Sequence, residues 1–152
     1  MKGDDVRIVT GLALSAALLA ASALLASAAS ARETWNQETV TALATELADA
    51  TKALKTTVRK DPDLRDGYRQ GDPVVSRYAD AINGIDRSAR QLATKLAAGE
   101  GYQETLGVAK KIDSLVRDAQ VQGARIMTTF WMEERVRPVE ELLARLGRYY
   151  FD

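Results

Sequence analysis

Apolar side chains recur every three or four residues through most of the chain after residue 32, a spacing that places them on one face of an α-helix. The most regular of these stripes follows Asp72 and Pro73, which suit the N-cap and the first position of a helix. It ends before Gly99 and Gly101, which favour a helix stop. Its members are Val75, Tyr78, Ile82, Ile85, Ala89, Leu92 and Leu96. The sequence therefore predicts one long helix between Pro73 and Gly99.

A second stripe lies between Glu33 and Lys60 and predicts an earlier long helix. Its members are Val40, Leu43, Leu47, Ala50, Leu54 and Val58. Pro62 ends this helix near Asp61, because proline cannot donate a backbone hydrogen bond and disfavours helical geometry in the residue before it. The stretch 61–73 is rich in Asp, Gly and Pro, so it is predicted to be a loop with room for one short helical turn.

A third stripe begins near Tyr102 and predicts the longest helix, which reaches Phe130 and extends at most to Arg137. Its members are Leu106, Ala109, Ile112, Val116, Ala119, Gly123, Ile126 and Phe130. Pro138 is expected to kink or break this helix. A shorter terminal stripe of Val139, Leu142, Leu143 and Leu146 then fits either a separate fourth helix or a bent continuation of the third.

Four pairs of opposite charge lie four residues apart with the acid first, an arrangement that stabilises exposed helix faces. They are Asp86 with Arg90, Asp113 with Arg117, Glu133 with Arg137, and Glu141 with Arg145. Short connections between the predicted helices favour antiparallel neighbours. The predicted fold is all-α: an antiparallel bundle of three long helices plus a short C-terminal helix, preceded by an N-terminal apolar helix.

That N-terminal segment, Ile8 to Ala31, is uncharged and closes with Ala29 and Ala31 around a serine, a pattern typical of a cleavable signal peptide. The predicted division is residues 1–31 as the export segment and 32–152 as a periplasmic or secreted domain. The run also approaches the roughly 20 residues that span a bilayer. The alternative is an uncleaved anchor that meets the membrane only through residues 8–29, with the C-terminal domain outside the cytoplasm.

The composition excludes several kinds of chemistry. The chain has no cysteine, so it can form no disulfide and no thiolate metal site. It has no histidine, which removes the commonest general base and the usual haem ligand. Lys and Arg together number 21 and so do Asp and Glu, a balance that argues against a nucleic-acid partner. We therefore predict no catalytic residues, no cofactor and no metal.

One acidic segment, from Asp61 to Asp72, superficially has the length of a calcium-binding loop. An EF-hand requires an oxygen ligand at its fifth place and glycine at its sixth. Here Arg65 is fifth and Gly67 is seventh, and the twelfth place lacks glutamate. The sequence favours helix-capping aspartates over a calcium site.

Aromatic side chains are the candidate partner-binding residues. They are Phe130, Trp131, Tyr149, Tyr150 and Phe151. Aromatic residues are enriched at protein interfaces, and a tail that ends in three of them is costly to expose. In the alternative interpretation, the tail folds back over the end of the bundle and caps its core.

We therefore predict a non-enzymatic exported helical bundle that acts through protein–protein contacts, with a partner protein or with itself, as a structural or accessory subunit of an envelope-associated assembly. One alternative is a single-pass accessory subunit of a membrane complex that retains its N-terminal helix. The other is a bundle that binds a small molecule between its helices.

Overall fold

The computed structural model describes residues 32–126 and 130–151, and for residues 130–133 it describes only the backbone. The apolar N-terminal run, with Ala29 and Ala31, lies outside the described residues. The side chains of Phe130 and Trp131 also lie outside this description. No helix in the described part of the chain is long and apolar enough to cross a membrane.

All regular structure in these residues is helical, which confirms the predicted all-α class. The five helices are α1 (Gln37–Lys60), α2 (Pro62–Arg69), α3 (Pro73–Ala97), α4 (Tyr102–Gly123) and α5 (Phe130–Tyr150). The helices predicted from the first two stripes, α1 and α3, are present with nearly the expected bounds. The other three helices differ from the prediction.

The predicted loop at 61–73 contains the eight-residue helix α2. Asp61 caps this helix by accepting a hydrogen bond from the Leu64 amide at 3.0 Å, and Pro62 occupies its first turn. The same Asp-Pro pair starts α3, where Asp72 accepts from the Val74 amide at 2.8 Å. The stretch was therefore not a loop, because one aspartate both follows α1 and begins the next helix.

The predicted division of the C-terminal half was wrong. Helix α4 stops at Gly123 and does not reach Phe130, while the last helix has 21 residues and contains Pro138. Proline removes the hydrogen bond that the Glu134 carbonyl would accept within the helix. Pro138 and Glu134 are both exposed, so water can satisfy that carbonyl and the helix continues through the proline.

Helix α3 lies at the centre of the bundle, between α1 and α4, and α5 packs chiefly against α1. Gln37, at the start of α1, donates to the Leu96 carbonyl at the end of α3 at 3.1 Å. The Glu33 amide donates to the Arg148 carbonyl near the end of α5 at 2.8 Å. These contacts make α1 antiparallel to both α3 and α5. Among the helix pairs that touch, α4 and α5 share the smallest contact.

The core follows the predicted stripes. All seven members of the α3 stripe are buried, and so are five of the six in α1, with Ala50 half-buried. Helix α3 also buries a second face, because α1 and α4 flank it on two sides. Gly84 permits this packing: a β-carbon there would lie 3.1 Å from both terminal methyl carbons of Leu115 on α4.

Asp86 is the main departure from the predicted exposed faces. Its side chain is 2% exposed, and its Oδ2 accepts hydrogen bonds from Lys55 at 2.9 Å and from Arg90 at 2.7 Å. The predicted pair with Arg90 therefore forms, but with its carboxylate inside the molecule. The pair of Asp113 and Arg117 forms on the surface at 2.7 Å, as predicted.

Candidate functional site

An apolar groove runs along the seam between α4 and α5. Among the helix pairs that touch, these two share the smallest contact. Its wider part is a cavity of about 320 Å³ lined mainly by hydrocarbon. Val116 and Ala119 of α4 form one wall, and Val139 and Leu143 of α5 form the other. Ile85 of α3 lies in the same lining. We call this the α4–α5 groove.

The groove continues toward the C-terminus as a smaller cavity of about 120 Å³. Val116 and Leu143 line both cavities, so the two are adjacent parts of one seam. Ile112 on α4 and Leu146 on α5 extend the apolar walls, and Phe151 lies at the far end.

Small residues on α4 explain why the seam is open. Ala119 and Gly123 occupy stripe positions where a bundle helix commonly carries a large side chain. A β-carbon at Gly123 would lie 3.3 Å from Cε2 of Tyr78, so the α4 backbone approaches α3 closely at this point. Ala119 lines the wide part of the groove, where its methyl group stands in place of a larger side chain.

The polar groups in the wide cavity are few. Glu140, Gln120 and Tyr78 are among its lining residues. Burial raises the pKa of the Tyr78 phenol, and the negative charge of Glu140 raises it further. Tyr78 therefore stays neutral at physiological pH, and Glu140 is the charged group of this lining.

An aromatic cluster closes the end of the bundle beside the narrow part of the groove. The Tyr150 ring stacks on Tyr102 at a centroid distance of 5.7 Å and meets Trp35 edge-on at 5.3 Å. Its hydroxyl lies 2.8 Å from Oγ1 of Thr105, which is also buried. The Arg32 guanidinium lies over the Tyr102 ring at 4.5 Å. These contacts fasten the segment before α1 to α4 and α5.

The predicted partner-binding residues have different places in this arrangement. Tyr150 is 3% exposed and belongs to the aromatic cluster, which agrees with the alternative of a tail that caps the core. Phe151 is half-buried at the end of the groove. Tyr149 is half-exposed, and a hydrogen bond to Glu33 raises the pKa of its phenol. Trp35 and Tyr102, which complete the cluster, were missed because each stands alone in the sequence.

Two carboxylates of the acidic segment at 61–72 cap helices within the fold. Asp61 and Asp72 both accept hydrogen bonds from backbone amides at helix starts. Among the described side chains, no three of His, Cys, Asp and Glu lie close enough together to hold a metal ion.

No protein-family model, curated protein or solved structure matches this chain. The geometry of the described residues is therefore the ground for a functional proposal. Within it, the α4–α5 groove combines a mainly hydrocarbon lining with a small contact between the two helices that form it.

Proposed function

We propose that this protein is a non-enzymatic accessory subunit of an envelope-associated assembly, and that its α4–α5 groove binds an apolar helix face of a partner protein. The observation that carries the proposal is the apolar seam between two helices that barely touch each other. Such a seam leaves hydrocarbon surface that a partner side chain can cover.

The spacing of the groove residues suits a helix as the occupant. Ile112, Val116 and Ala119 follow one another at steps of four and three on α4. Val139, Leu143 and Leu146 do the same on α5. Two antiparallel rows of this kind form the holes into which the apolar side chains of a third helix insert. A third helix would therefore complete the packing of α4 against α5.

The chemistry of the groove supports binding in preference to catalysis. The lining of the groove is mainly hydrocarbon, and Glu140 is the acidic residue in it. General acid–base or nucleophilic catalysis needs a second functional group within hydrogen-bonding reach of the first. The lining residues around Glu140 offer the neutral Tyr78 phenol and the Gln120 amide, which bind and orient but are weak bases.

The proposed location is the periplasm or the exterior of the cell, with cleavage after Ala31. The alternative keeps residues 1–31 as a membrane anchor, and the domain then lies on the same side of the membrane. The intact mass of the native chain separates the two. We expect a soluble chain that begins at Arg32, whereas a membrane-bound chain that retains residues 1–31 would establish the anchored form.

A small apolar molecule is the second candidate occupant of the same groove. The wide cavity, at about 320 Å³, reaches the lower end of the range that ligand pockets occupy, which begins near roughly 300 Å³. The partner-helix proposal is favoured because the apolar walls continue beyond this cavity along the seam to Phe151. A compact ligand would leave that extension uncovered.

Two matched substitutions on α4 test the partner proposal. Val116 is half-buried in the groove, while Val121 is 52% exposed and is absent from the groove lining. Val116→Gln is expected to weaken partner binding by about three- to tenfold, because covering the exposed half of one valine contributes about half of the roughly 1.5–3 kcal/mol that full burial gives. Val121→Gln should leave binding unchanged. The measurement is the amount of partner recovered per tagged chain from the native host, quantified by mass spectrometry.

If the two variants recover equal amounts of partner, the groove is not part of the interface. Both variants are first compared with the unmodified chain by thermal unfolding, so that loss of the fold is recognised. Native mass spectrometry of the same preparations addresses the second candidate. A small-molecule adduct that is present in the unmodified chain and lost in Val116→Gln would show that the groove holds a ligand instead of a helix.

A further inference from the structure

A second cleft, on another side of the bundle, combines an apolar floor with a cationic rim. It lies between the C-terminal half of α1, the short helix α2 and the first half of α3, and its volume is about 490 Å³. Val58, Leu64 and Val75 line it and are each at least nine-tenths buried, so they form its floor. Lys55, Arg59 and Arg65 supply its charges.

The charge of this cleft is one-sided, although the chain as a whole is neutral. Three of its ten lining residues are cations and none is an acid. Arg65 meets Asp66 only at 3.9 Å, and both side chains are more than half exposed, so this ion pair neutralises little. Arg59 forms no ion pair within the described part of the chain. The rim therefore carries positive potential that a ligand anion can satisfy.

Lys55 is held at the cleft by a contact that does not cancel the local charge. Its Nζ donates to Oδ2 of Asp86 at 2.9 Å, and Arg90 donates to the same oxygen at 2.7 Å. One buried carboxylate thus faces two cations, so this cluster keeps a net positive charge. The contact also fixes the position of the Lys55 side chain beside the cleft.

Two further side chains make the cleft suitable for an organic ligand. Tyr68 is 56% exposed, an unusual state for a large side chain, and its ring stands at the cleft. Asn83 adds an amide that can donate and accept hydrogen bonds. Apolar walls with a few converging polar groups are the usual composition of a small-molecule site.

Close packing of α2 on α3 gives the cleft a definite wall. A β-carbon at Gly67 would lie 2.9 Å from a methyl carbon of Val75, so α2 could not approach α3 this closely with any other residue there. Asp61 holds the start of α2 through its hydrogen bond to the Leu64 amide at 3.0 Å. The cleft is therefore set by the fold before any ligand binds.

We infer that this cleft binds a small amphipathic organic anion, whose charged group pairs with Arg59 and Arg65 and whose apolar body lies on the floor of Val58, Leu64 and Val75. Tyr78 lines both this cleft and the α4–α5 groove, but the other lining residues differ, and the inference does not depend on the function proposed for the groove. Guanidinium groups favour carboxylate, sulfonate or phosphate as the charged group.

The test uses two fluorescent probes of related shape and different charge, with the chain as it is isolated from its host. One is the anion 8-anilinonaphthalene-1-sulfonate and the other is neutral N-phenyl-1-naphthylamine. The double variant Arg59→Gln/Arg65→Gln is expected to weaken binding of the anionic probe by about three- to thirtyfold, because two solvent-exposed ion pairs are lost. Its affinity for the neutral probe should stay unchanged.

Arg87→Gln is the matched control, because Arg87 is exposed on α3 and is absent from the cleft lining. It should bind both probes as the unmodified chain does. Equal affinity of the double variant and the control for the anionic probe would overturn the inference. Because Arg59 and Arg65 are both exposed, thermal unfolding should be nearly the same in all variants.

Competition separates an amphipathic ligand from a simple anion. Decanoate is expected to displace the anionic probe from the unmodified chain, whereas inorganic phosphate at the same concentration should not. If phosphate displaces the anionic probe as effectively as decanoate does, the apolar floor has no role in binding and the inference is overturned. Failure of both competitors would overturn the assignment of this ligand class.

Discussion

Replacing Leu92 with alanine is expected to lower the free energy of unfolding by about 2–5 kcal/mol. Leu92 has no exposed surface and lies on α3, the helix that packs against both α1 and α4. The substitution removes three buried carbon atoms and leaves a cavity that the neighbouring helices can fill only in part. The loss is large because α3 packs against α1 on one side and α4 on the other, so little of the cavity can be filled.

Urea denaturation followed by far-ultraviolet circular dichroism measures this loss. Val121→Ala is the control, because Val121 is 52% exposed on α4 and its truncation should change the free energy of unfolding by less than about 0.5 kcal/mol. A comparable effect of the two substitutions would show that Leu92 does not lie in the core. The slope of the unfolding transition should stay the same if the native and unfolded states keep their surface areas.

The second large effect concerns the buried carboxylate of Asp86. Its Oδ2 accepts from both Lys55 and Arg90, while its Oδ1 has no hydrogen-bond partner within the described residues. Replacement of both cations, as Lys55→Met/Arg90→Met, leaves a charge that is 2% exposed without compensation. We expect this double variant to lose about 3–5 kcal/mol of unfolding free energy.

A third substitution separates the effect of the unpaired charge from the effect of lost packing. Adding Asp86→Leu to the double variant removes the buried charge and fills its place with hydrocarbon. Because a buried ion pair often contributes no more than well-packed apolar residues, the triple variant should recover most of the loss. The same urea titration measures all three chains. A triple variant as unstable as the double variant would mean that lost packing, and not the unpaired charge, causes the effect.

The two predictions describe different properties of α3. Substitution of Leu92 measures the packing of an apolar stripe, whereas substitutions around Asp86 measure the effect of a buried carboxylate on the same helix. A chain that only needed stability could replace the Asp86 cluster with hydrocarbon. The arrangement also holds Lys55 beside the cationic cleft, which links the buried charge to the ligand site inferred there.

Local patterns in the sequence were sufficient for α1 and α3. The stripes repeat at the helical period from Val40 to Val58 in α1 and from Val75 to Leu96 in α3, and the start of α3 carries an N-cap aspartate followed by proline. Both signals act over a few residues and do not depend on distant contacts. The second Asp-Pro pair, at Asp61 and Pro62, carries the same start signal for α2, but no long apolar stripe follows it, and the predicted loop with one short turn was too little helix.

The C-terminal half required information that periodicity does not contain. The apolar spacing continues past Gly123, so the pattern alone could not show that α4 ends there. Pro138 was expected to kink or break the third helix, yet the cost of a proline depends on whether water reaches the carbonyl that loses its partner. Only the tertiary structure shows that Pro138 is exposed.

The sequence by itself determined the helical class, the buried faces of α1 and α3, and the absence of cysteine and histidine chemistry, because these follow from composition and from contacts between near neighbours in the chain. The tertiary structure alone decided which faces of the helices meet. It placed Asp86 inside, brought Trp35, Tyr102 and Tyr150 together, and left α4 and α5 with an open seam. These features depend on contacts between residues far apart in the chain, and a helical period carries no information about which distant side chain will lie opposite.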